Sequence, residues 1–166
     1  MAMRDVFSTR SRYFQEELAT VTALGRAGVG QRNILVAVDG DESSLRAAAY
    51  AIGLARRQAL SLVVLFVHTY GSLGSTFGAN YAMRLGNAES AIALRDEMER
   101  QAIAFGVAIT VIEREGDPYL ETARLAGLLR VDGIVIGSAR SFGHRLFGSP
   151  AARLVRHAQW PITVVP

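Results

Sequence analysis

The sequence predicts an α/β fold, a doubly wound sheet of five parallel strands with helices on both faces. Throughout residues 33–166, short runs of β-branched apolar residues alternate with longer amphipathic stretches. The short runs are almost continuously apolar, which is typical of strands covered on both sides. Each run except the last is followed by an amphipathic stretch, and this alternation favours parallel strands joined by right-handed crossovers.

The strands are predicted from the apolar runs, which are Ile34–Val38, Leu62–Val67, Val107–Ile112, Ile134–Ile136 and Ile162–Val165. In sheets of this class the ligand crevice lies at the carboxyl ends of the strands, where the direction of winding reverses. The segments that follow the strands are therefore the first candidates for function, namely Asp39 to Asp41, residues 68–80 and residues 137–149.

Apolar residues at helical spacing predict the first two helices. The first helix ends just beyond Arg56 and Arg57, two cations suited to a helix carboxyl end. Its apolar stripe is Leu45, Ala48, Ala49, Ile52, Ala55 and Ala59. The second helix is bounded by Asn87 as a candidate N-cap and by Gly106, which suits the position after a helix end. Its apolar stripe is Leu94, Met98, Ala102 and Phe105.

Two further helices are predicted from an N-cap residue followed by proline at the first helical position. Asp117 and Pro118 begin the third helix, which runs to about Leu129. Ser149 and Pro150 begin the fourth, which ends near Ala158. The last strand then follows, so residues 33–166 form one α/β domain.

Residues 1–32 are predicted to be an N-terminal extension of that domain. Apolar residues at helical spacing favour a helical segment, and an extension of poor order is equally compatible with this part of the chain. The residues that form the spacing are Phe14, Leu18, Val21 and Leu24.

Composition excludes several classes of chemistry. The 166 residues contain no cysteine and three histidines, so disulfides, thiolate catalysis and a Cys- or His-based metal site are not expected. All 18 basic residues are arginine, which excludes Schiff-base chemistry and a P-loop lysine. The arginines alternate with acids along the chain, so a net charge of +3 does not indicate a nucleic-acid interface. With no long apolar segment and no secretory signal, we expect a cytoplasmic protein that does not bind membranes.

Glycine and serine residues near the predicted fourth helix have the chemistry of a phosphate cradle. Gly137 and Ser138 end a strand, while Gly148, Ser149 and Pro150 begin the next helix. Glycine lets a phosphate approach the backbone, and hydroxyls and helix N-termini supply donors. The alternative is purely structural, because a glycine also provides a tight strand exit and a serine also caps a helix.

Asp39, at the end of the first predicted strand, is the second candidate. A carboxylate at this position accepts hydrogen bonds from ribose hydroxyls or approaches a phosphate-bound Mg²⁺ ion. The alternative is an aspartate that only begins a turn with Gly40. Both interpretations stay open from the residues alone.

Several segments, taken in order and spacing, resemble the universal stress protein family across residues 33–166. These are Asn33-Ile-Leu-Val-Ala-Val-Asp-Gly-Asp-Glu-Ser-Ser44, Leu65-Phe-Val67, Glu115-Gly-Asp-Pro118, Gly133-Ile-Val-Ile-Gly-Ser138, Gly148-Ser-Pro-Ala-Ala-Arg-Leu-Val-Arg-His-Ala158 and Trp160-Pro-Ile-Thr-Val-Val165. The resemblance implies a Rossmann-like domain and a regulatory or sensing role in the stress response, exerted through an unidentified protein partner. It also implies a homodimer that pairs through Ile162–Val165, which lies at a sheet edge.

In one branch of the family, ATP or AMP occupies the crevice, and the resemblance carries that function to particular residues here. Asp39 would meet the ribose and any nucleotide-bound Mg²⁺, the backbone at Val67 would meet the adenine, and glycine and serine residues would meet the phosphates. The nucleotide site predicted in this way comprises Ala37, Asp39, Val67, Gly137, Ser138, Arg140, Gly148, Ser149 and Pro150.

This chain departs from the nucleotide-binding pattern in the loop between Gly137 and Gly148. Arg140 stands where that branch has the second glycine of Gly-x-x-Gly, and the loop is two residues shorter. An arginine there either neutralises phosphate charge or fills the site. The second alternative corresponds to the other branch of the family, a nucleotide-free homodimer that acts through protein interactions.

An enzymatic alternative comes from a related group of ATP-using enzymes with a Ser-Gly-Gly-x-Asp-Ser loop after the first strand. The segment Asp39-Gly-Asp-Glu-Ser-Ser44 resembles that loop only loosely, because the leading serine and the second glycine are missing. No nucleophile with an adjacent general base is recognisable, so we expect no catalytic residues and at most slow ATP hydrolysis.

Overall fold

The apolar runs of the sequence form one parallel sheet with the order β3-β2-β1-β4-β5. A computed structural model of the protein describes residues 32–68, 88–138, 150–157 and 159–166. The strands are β1 (Asn33–Val38), β2 (Ser61–His68), β3 (Ile109–Glu115), β4 (Gly133–Gly137) and β5 (Ile162–Val165). The helices are α1 (Glu42–Gln58), α2 (Ala88–Ala104), α3 (Pro118–Leu129) and α4 (Pro150–Arg156). The predicted fold class is confirmed.

The winding direction of the sheet reverses between β1 and β4. The chain passes from β1 outward to β2 and β3, then returns to the other side of β1 to form β4 and β5. In the register, Ala37 of β1 lies between Leu65 of β2 and Ile136 of β4. The carboxyl ends of β1 and β4 therefore flank the switch point at which doubly wound sheets bind ligands.

Helices cover both faces of the sheet. α1 and α2 pack on the face that carries Ile34, Val36 and Val38, and these residues belong to a buried cluster with side chains of both helices. The right-handed crossovers assign α3 and α4 to the opposite face, where α3 contacts β1 and β2 and α4 contacts β5. The largest fully buried side chains come from both faces, and they are Leu35, Leu62, Leu65, Ile134 and Leu154.

The first helix buries a partly different set of residues than the predicted apolar stripe. Asp41 is its N-cap, and Ala59 ends it in the left-handed conformation with φ of 52°. The buried side is formed by Ser43, Ser44, Ala47, Ala48, Ala51, Ile52 and Ala55. Leu45, in contrast, is 37% exposed, and Ala49 is also exposed, so part of the predicted stripe was wrong. Small residues form most of the buried side because α1 lies close to the sheet.

The third helix confirms the interpretation of Asp117 and Pro118. The Asp117 carboxylate accepts a hydrogen bond from the backbone N–H of Leu120 at 2.9 Å, and Pro118 occupies the first turn. The helix ends at Leu129, as predicted, and Arg130 terminates it with φ of 48°.

The third strand lies further along the chain than predicted, because its first residues close the preceding helix. The backbone N–H of Val107 donates to the carbonyl of Ala102 at 2.8 Å, and Gly106 adopts φ of 68°. The ladder with β2 begins only at Ile109 and extends through Glu115. The apolar pattern did not reveal the second half of this strand, because its residues are charged. Charged side chains are tolerated there because β3 lies at an edge of the described sheet.

Phe105 does not belong to the buried stripe of α2, contrary to prediction. It follows the last residue of the helix and is 49% exposed, and the Arg56 guanidinium lies 5.5 Å from its ring centroid. Met98 and Ala102 of the same predicted stripe are buried.

Other predictions fall on residues that the structure does not describe. The proposed caps Asn87 and Ser149 lie outside the described residues, as do residues 1–31 of the N-terminal extension. Within the described helices, no segment has both the length and the apolar character that crossing a membrane requires.

Candidate functional site

The register of the sheet, extended by one or two residues, aligns three residues of the predicted site at its carboxyl edge. Val38 pairs with Phe66, and Ala37 pairs with Ile136. Continued past the end of β1, the same register places Asp39 level with Val67 on one side and with Ser138 on the other. Because neighbouring strands lie about 4.8 Å apart, this row brings the three residues together at the switch point. We call Val67, Asp39 and Ser138 the crevice row.

Ala37 lies two residues before Asp39 on the central strand. Although its neighbours Leu65 and Ile136 are buried, Ala37 itself remains partly exposed. It points to the face of the sheet that α3 and α4 cover, since successive side chains of a strand alternate between faces. Because Ala37 is small and partly exposed, a ligand can approach the sheet closely at this position.

The turn after β1 is closed by hydrogen bonds to the first turn of α1. The backbone N–H of Asp41 donates to Oδ1 of Asp39 at 3.1 Å, and Gly40 adopts φ of 81° between them. The backbone N–H of Asp39 donates to Oγ of Ser44 at 3.3 Å. The turn interpretation of Asp39 is therefore correct, and it is compatible with a ligand because the carboxylate stays only partly buried.

Asp41 holds the start of α1 in place. Its Oδ1 accepts from the backbone N–H of Ser44 at 2.6 Å and from Oγ of Ser43 at 2.9 Å. Both serines are 4% exposed. The sequence reasoning missed these two serines as site-forming residues, although a hydroxyl in the first turn after an N-cap aspartate was the available signal.

The environment of Asp39 favours the neutral form of its carboxyl group more than water does. Burial raises the pKa of the Asp39 carboxyl, and the nearby Asp41 charge raises it as well. The backbone N–H of Asp41 opposes this shift by donating to the carboxylate. The net result is a carboxyl whose pKa lies above its ordinary value.

The presence of glycine at position 137 is explained by the close packing of β4 against α1. A Cβ atom built on this residue would lie 2.6 Å from the carbonyl carbon of Ser43 and 2.7 Å from the backbone nitrogen of Ser44. Only a glycine therefore allows β4 to approach the first turn of α1. This structural role is close packing, which differs from the tight strand exit considered above, and a contact of Gly137 with phosphate stays a prediction.

Ser138 is fixed by the neighbouring edge strand. Its backbone N–H donates to the carbonyl of Val165 at 2.7 Å, so this donor is already engaged. The side-chain hydroxyl remains as the group that Ser138 offers to the crevice. Pro150 begins α4, as predicted.

The remaining predicted site residues, Arg140, Gly148 and Ser149, lie outside the described residues. Among the residues that the structure describes, no group of three or more His, Cys, Asp or Glu side chains could hold a metal ion. A contact of Asp39 with a nucleotide-bound Mg²⁺ ion stays a prediction.

A separate cavity lies away from the crevice row, on the outer side of α1. Its volume is about 490 Å³, and it is lined by Ala49, Gly53, Arg56, Arg57 and Phe105. These residues belong to the middle and carboxyl end of α1 and to the turn after α2, and none was predicted to bind a ligand.

Comparison with known proteins gives consistent results. A family model described as the Universal stress protein family matches residues 31–166. A universal stress protein of Methanocaldococcus jannaschii is 29% identical over 139 residues, which represent 81% of each chain.

Solved structures share the fold. One described as a universal stress protein in complex with cAMP is 25% identical, with a TM-score of 0.65, and the match covers 83% of this chain and 99% of that chain. A universal stress protein from Archaeoglobus fulgidus in complex with dAMP is 19% identical, with a TM-score of 0.55. That match covers 84% of this chain and 100% of the other, and at this identity it supports the fold alone.

Proposed function

The chain belongs to the universal stress protein family, and on this basis we propose that it is a regulatory module that binds an adenine nucleotide, ATP or AMP. The nucleotide would lie at the carboxyl ends of β1 and β4. The observation that carries the proposal is the register of β1 between β2 and β4, which, extended past the end of β1, places Val67, Asp39 and Ser138 of the crevice row level at the switch point. The 25% identical protein that was solved with cAMP supports an adenine ligand.

Each residue of the crevice row has a proposed contact. Asp39 accepts hydrogen bonds from the ribose hydroxyls, and the backbone at Val67 bonds the adenine. The Ser138 hydroxyl faces the phosphates, together with Arg140, Gly148, Ser149 and Pro150. Ala37 lies beneath the proposed nucleoside, and any larger side chain at this position would reduce the space for it.

The Asp39 carboxyl also gives the proposed site a pH dependence. Its ionised form accepts two hydroxyl donors of a ribose, whereas its neutral form accepts fewer and donates one hydrogen bond. Because burial raises the Asp39 pKa, acidification below neutral pH protonates this group earlier than an ordinary aspartate. Nucleotide affinity is therefore expected to fall at acidic pH.

We also propose that the protein functions as a homodimer through β5. This strand lies at an edge of the sheet and pairs, among the described strands, only with β4. Val164 of β5 is 44% exposed, and Val155 of α4 is 52% exposed. An unpaired edge with exposed apolar side chains is suited to pairing with the same strand of a second copy.

A second candidate function is that of a nucleotide-free homodimer that acts through protein contacts. This candidate is favoured because groups near the predicted phosphate position already have partners within the protein. The Ser138 N–H already bonds Val165, and the first turn of α1 occupies the space beside Gly137. In this alternative, the turn after β1 and the end of β4 stabilise the domain and bind no ligand.

The two candidates differ in what the purified protein contains and binds. We expect mass spectrometry of ligand released from the protein to detect an adenine nucleotide, and titration calorimetry to measure ATP or AMP binding, with and without Mg²⁺. Asp39→Ala should weaken binding by roughly two- to tenfold, because a hydrogen bond contributes about 0.5–1.5 kcal/mol.

The control variant is Asp96→Ala, which removes an exposed carboxylate from α2 and should leave nucleotide binding unchanged. If the parent protein shows neither released nucleotide nor binding at millimolar ATP or AMP, the nucleotide proposal is wrong and the nucleotide-free dimer is favoured. If Asp39→Ala binds as tightly as the parent, the ribose contact lies elsewhere.

A further inference from the structure

The cavity beside α1 combines apolar surface with two arginines. Its volume of about 490 Å³ lies in the range of small-molecule sites, about 300–1,000 Å³. Four of its lining residues belong to one side of α1, as their helical spacing shows, and they are Ala49, Gly53, Arg56 and Arg57. Phe105, in the turn after α2, completes the lining. The proposed nucleotide site uses none of these residues.

Arg57 lies back along α1 and faces the cavity. A Cβ atom built on Gly53 would lie 3.2 Å from Nη1 of Arg57. The guanidinium therefore lies beside the bare backbone of Gly53, one turn earlier in the helix, and its charge is at the cavity wall. Because glycine has no side chain, the cavity stays open at this point.

Arg56 is held against an aromatic ring. Its guanidinium carbon lies 5.5 Å from the centroid of the Phe105 ring, within the range of a cation–π contact. Arg56 is exposed, and Phe105 is 49% exposed. Both the ring and the guanidinium N–H donors are therefore accessible to a ligand in the cavity.

Acidic side chains do not neutralise these arginines within the part of the chain that the structure describes. None of the ion pairs found there involves Arg56 or Arg57. The carboxylates of Glu97 and Glu99 on α2 pair with arginines of their own helix. Among the described residues, two cations at one cavity thus have N–H donors without a carboxylate partner.

The dipole of α1 accounts for only part of this charge. The carboxyl end of a helix corresponds to roughly half an elementary negative charge, whereas Arg56 and Arg57 supply two full positive charges. The last carbonyls are also engaged already, because those of Ala55 and Arg56 accept from the backbone N–H of Ala59. A positive excess remains for an anion.

We propose that this cavity binds a small aromatic carboxylate. The carboxylate pairs with the guanidinium groups of Arg56 and Arg57, whose paired N–H donors match its geometry. The ring lies along Ala49 and Gly53, where small residues leave space, with its edge towards Phe105. A compact hydrated anion such as inorganic phosphate fits less well, because it cannot use the apolar part of the lining.

The proposed site is separate from the crevice row. α1 begins after β1, at the carboxyl edge of the sheet, and it ends before β2 begins, at the amino edge. Arg57 lies in the last turn of α1, and Phe105 precedes β3, so both lie towards the amino edge. The inference therefore does not depend on nucleotide binding, and AMP should not compete for this cavity.

Titration calorimetry of the full chain with cinnamate tests the inference. We expect a dissociation constant of about 1 mM or lower. Cinnamamide, which keeps the planar ring but has no charge, should bind at least about fivefold more weakly, because the charge-assisted hydrogen bonds are lost. Hexanoate, a carboxylate without a ring, should bind at least about threefold more weakly.

Substitutions locate the binding. Arg56→Gln and Arg57→Gln should each weaken cinnamate binding by about threefold or more and change cinnamamide binding by less than about twofold. Ala49→Leu fills the cavity from an exposed position and should weaken binding of both ligands. The matched control is Arg95→Gln, which changes an arginine of α2 outside the lining and should leave both affinities unchanged.

A measurement on the unchanged protein keeps the inference testable if a variant fails to fold. In ¹⁵N-labelled protein, cinnamate should shift the backbone amide resonances of Gly53, Arg57 and Phe105. Saturating AMP should not reverse these shifts, and inorganic phosphate at equal concentration should not produce them.

Several results would overturn the inference. These are no cinnamate binding by the parent protein at several millimolar, equal affinity for cinnamate and cinnamamide, equal affinity for cinnamate and hexanoate, or parent-like cinnamate binding by both arginine variants. Displacement of cinnamate by AMP would also overturn it, because it would place the ligand in the crevice. Failure of the parent to bind any nucleotide would contradict the proposed function and leave this inference standing.

Discussion

Asp39 combines a structural and a proposed functional role in one carboxyl group. It closes the turn after β1 by accepting from Asp41, and it lies in the crevice row where the ribose is proposed to bind. A partly buried carboxylate with a raised pKa is costly to the folded state at neutral pH. Retention of such a group, where a neutral amide would fit, is characteristic of functional sites.

We therefore predict that Asp39→Asn raises the melting temperature at neutral pH. An asparagine oxygen still accepts from the Asp41 N–H, and no charge is buried. Because the folded-state pKa of Asp39 is raised, the native protein binds more protons than the unfolded chain between the two pKa values. The contribution of Asp39 to stability is thus fully present below the unfolded pKa, about 3.9, and is lost as pH rises through the folded value.

Urea unfolding at a series of pH values checks this prediction. The advantage of Asp39→Asn over the parent should be largest at neutral pH and should disappear as pH falls below the unfolded pKa. Asp96→Asn, on the exposed side of α2, is the control and should show no such trend. An Asp39→Asn variant that is less stable than the parent at neutral pH would contradict the prediction.

Gly137 and Gly127 form a matched pair of glycines for testing close packing. A Cβ atom at Gly137 would lie within 2.6–2.7 Å of the first turn of α1, whereas at Gly127 the nearest atom, in Trp160, is 3.8 Å away. We predict that Gly137→Ala destabilises the protein by about 1–3 kcal/mol, as overpacking does. Gly127→Ala should instead stabilise it by up to about 1 kcal/mol, because alanine favours helix.

Denaturant unfolding of both variants measures these changes. A Gly137→Ala protein as stable as the parent would show that β4 and α1 separate at little cost. The presence of glycine at this position would then be explained better by ligand binding than by packing.

At the scale of elements, β5 is the strand on which assembly depends in the proposed function. We predict that Val164→Lys raises the dissociation constant of the dimer by about tenfold or more, because it introduces a charge at the pairing edge. Val164 is 44% exposed, so a lysine at this position is compatible with a folded monomer. Sedimentation velocity over a range of concentrations provides the measurement.

The control for β5 is Ile103→Lys, which changes a 72% exposed residue on α2 and should leave association unaffected. If the parent sediments as a monomer at micromolar concentration, the dimer proposal is wrong. If Val164→Lys has the dissociation constant of the parent, the interface involves another surface.

At the scale of the whole molecule, every described strand and helix lies beyond residue 32. We therefore predict that deletion of residues 1–30 leaves a domain that unfolds in one cooperative transition. Calorimetry is the measurement, and agreement between the calorimetric and van't Hoff enthalpies is the expected result. Loss of cooperativity would show that the predicted domain boundary at residue 33 is wrong.

Element order was predictable from sequence because each buried strand is a continuous apolar run and because caps such as Asp117-Pro118 mark helix starts. The charged end of β3 was not, since an edge strand accepts side chains that apolar pattern excludes. Phe105 was assigned to the core because spacing cannot reveal that the helix ends one residue earlier. Likewise, Asp39 and Ser138 were predicted individually, but their alignment in one row follows only from the register of β1 between β2 and β4.

The strand order also determines when the sheet can be completed during synthesis. β1 is the central strand, yet one of its edges is paired by β4, which follows in the chain after 94 residues, since β1 ends at Val38 and β4 begins at Gly133. At about 5–20 residues per second, a ribosome needs about 5 to 20 seconds to supply that partner. During this interval the strand that will form the centre of the domain has an open edge of unpaired N–H and carbonyl groups. Until β4 is made, the nascent chain thus exposes an edge of a strand that has neighbours on both sides in the finished protein.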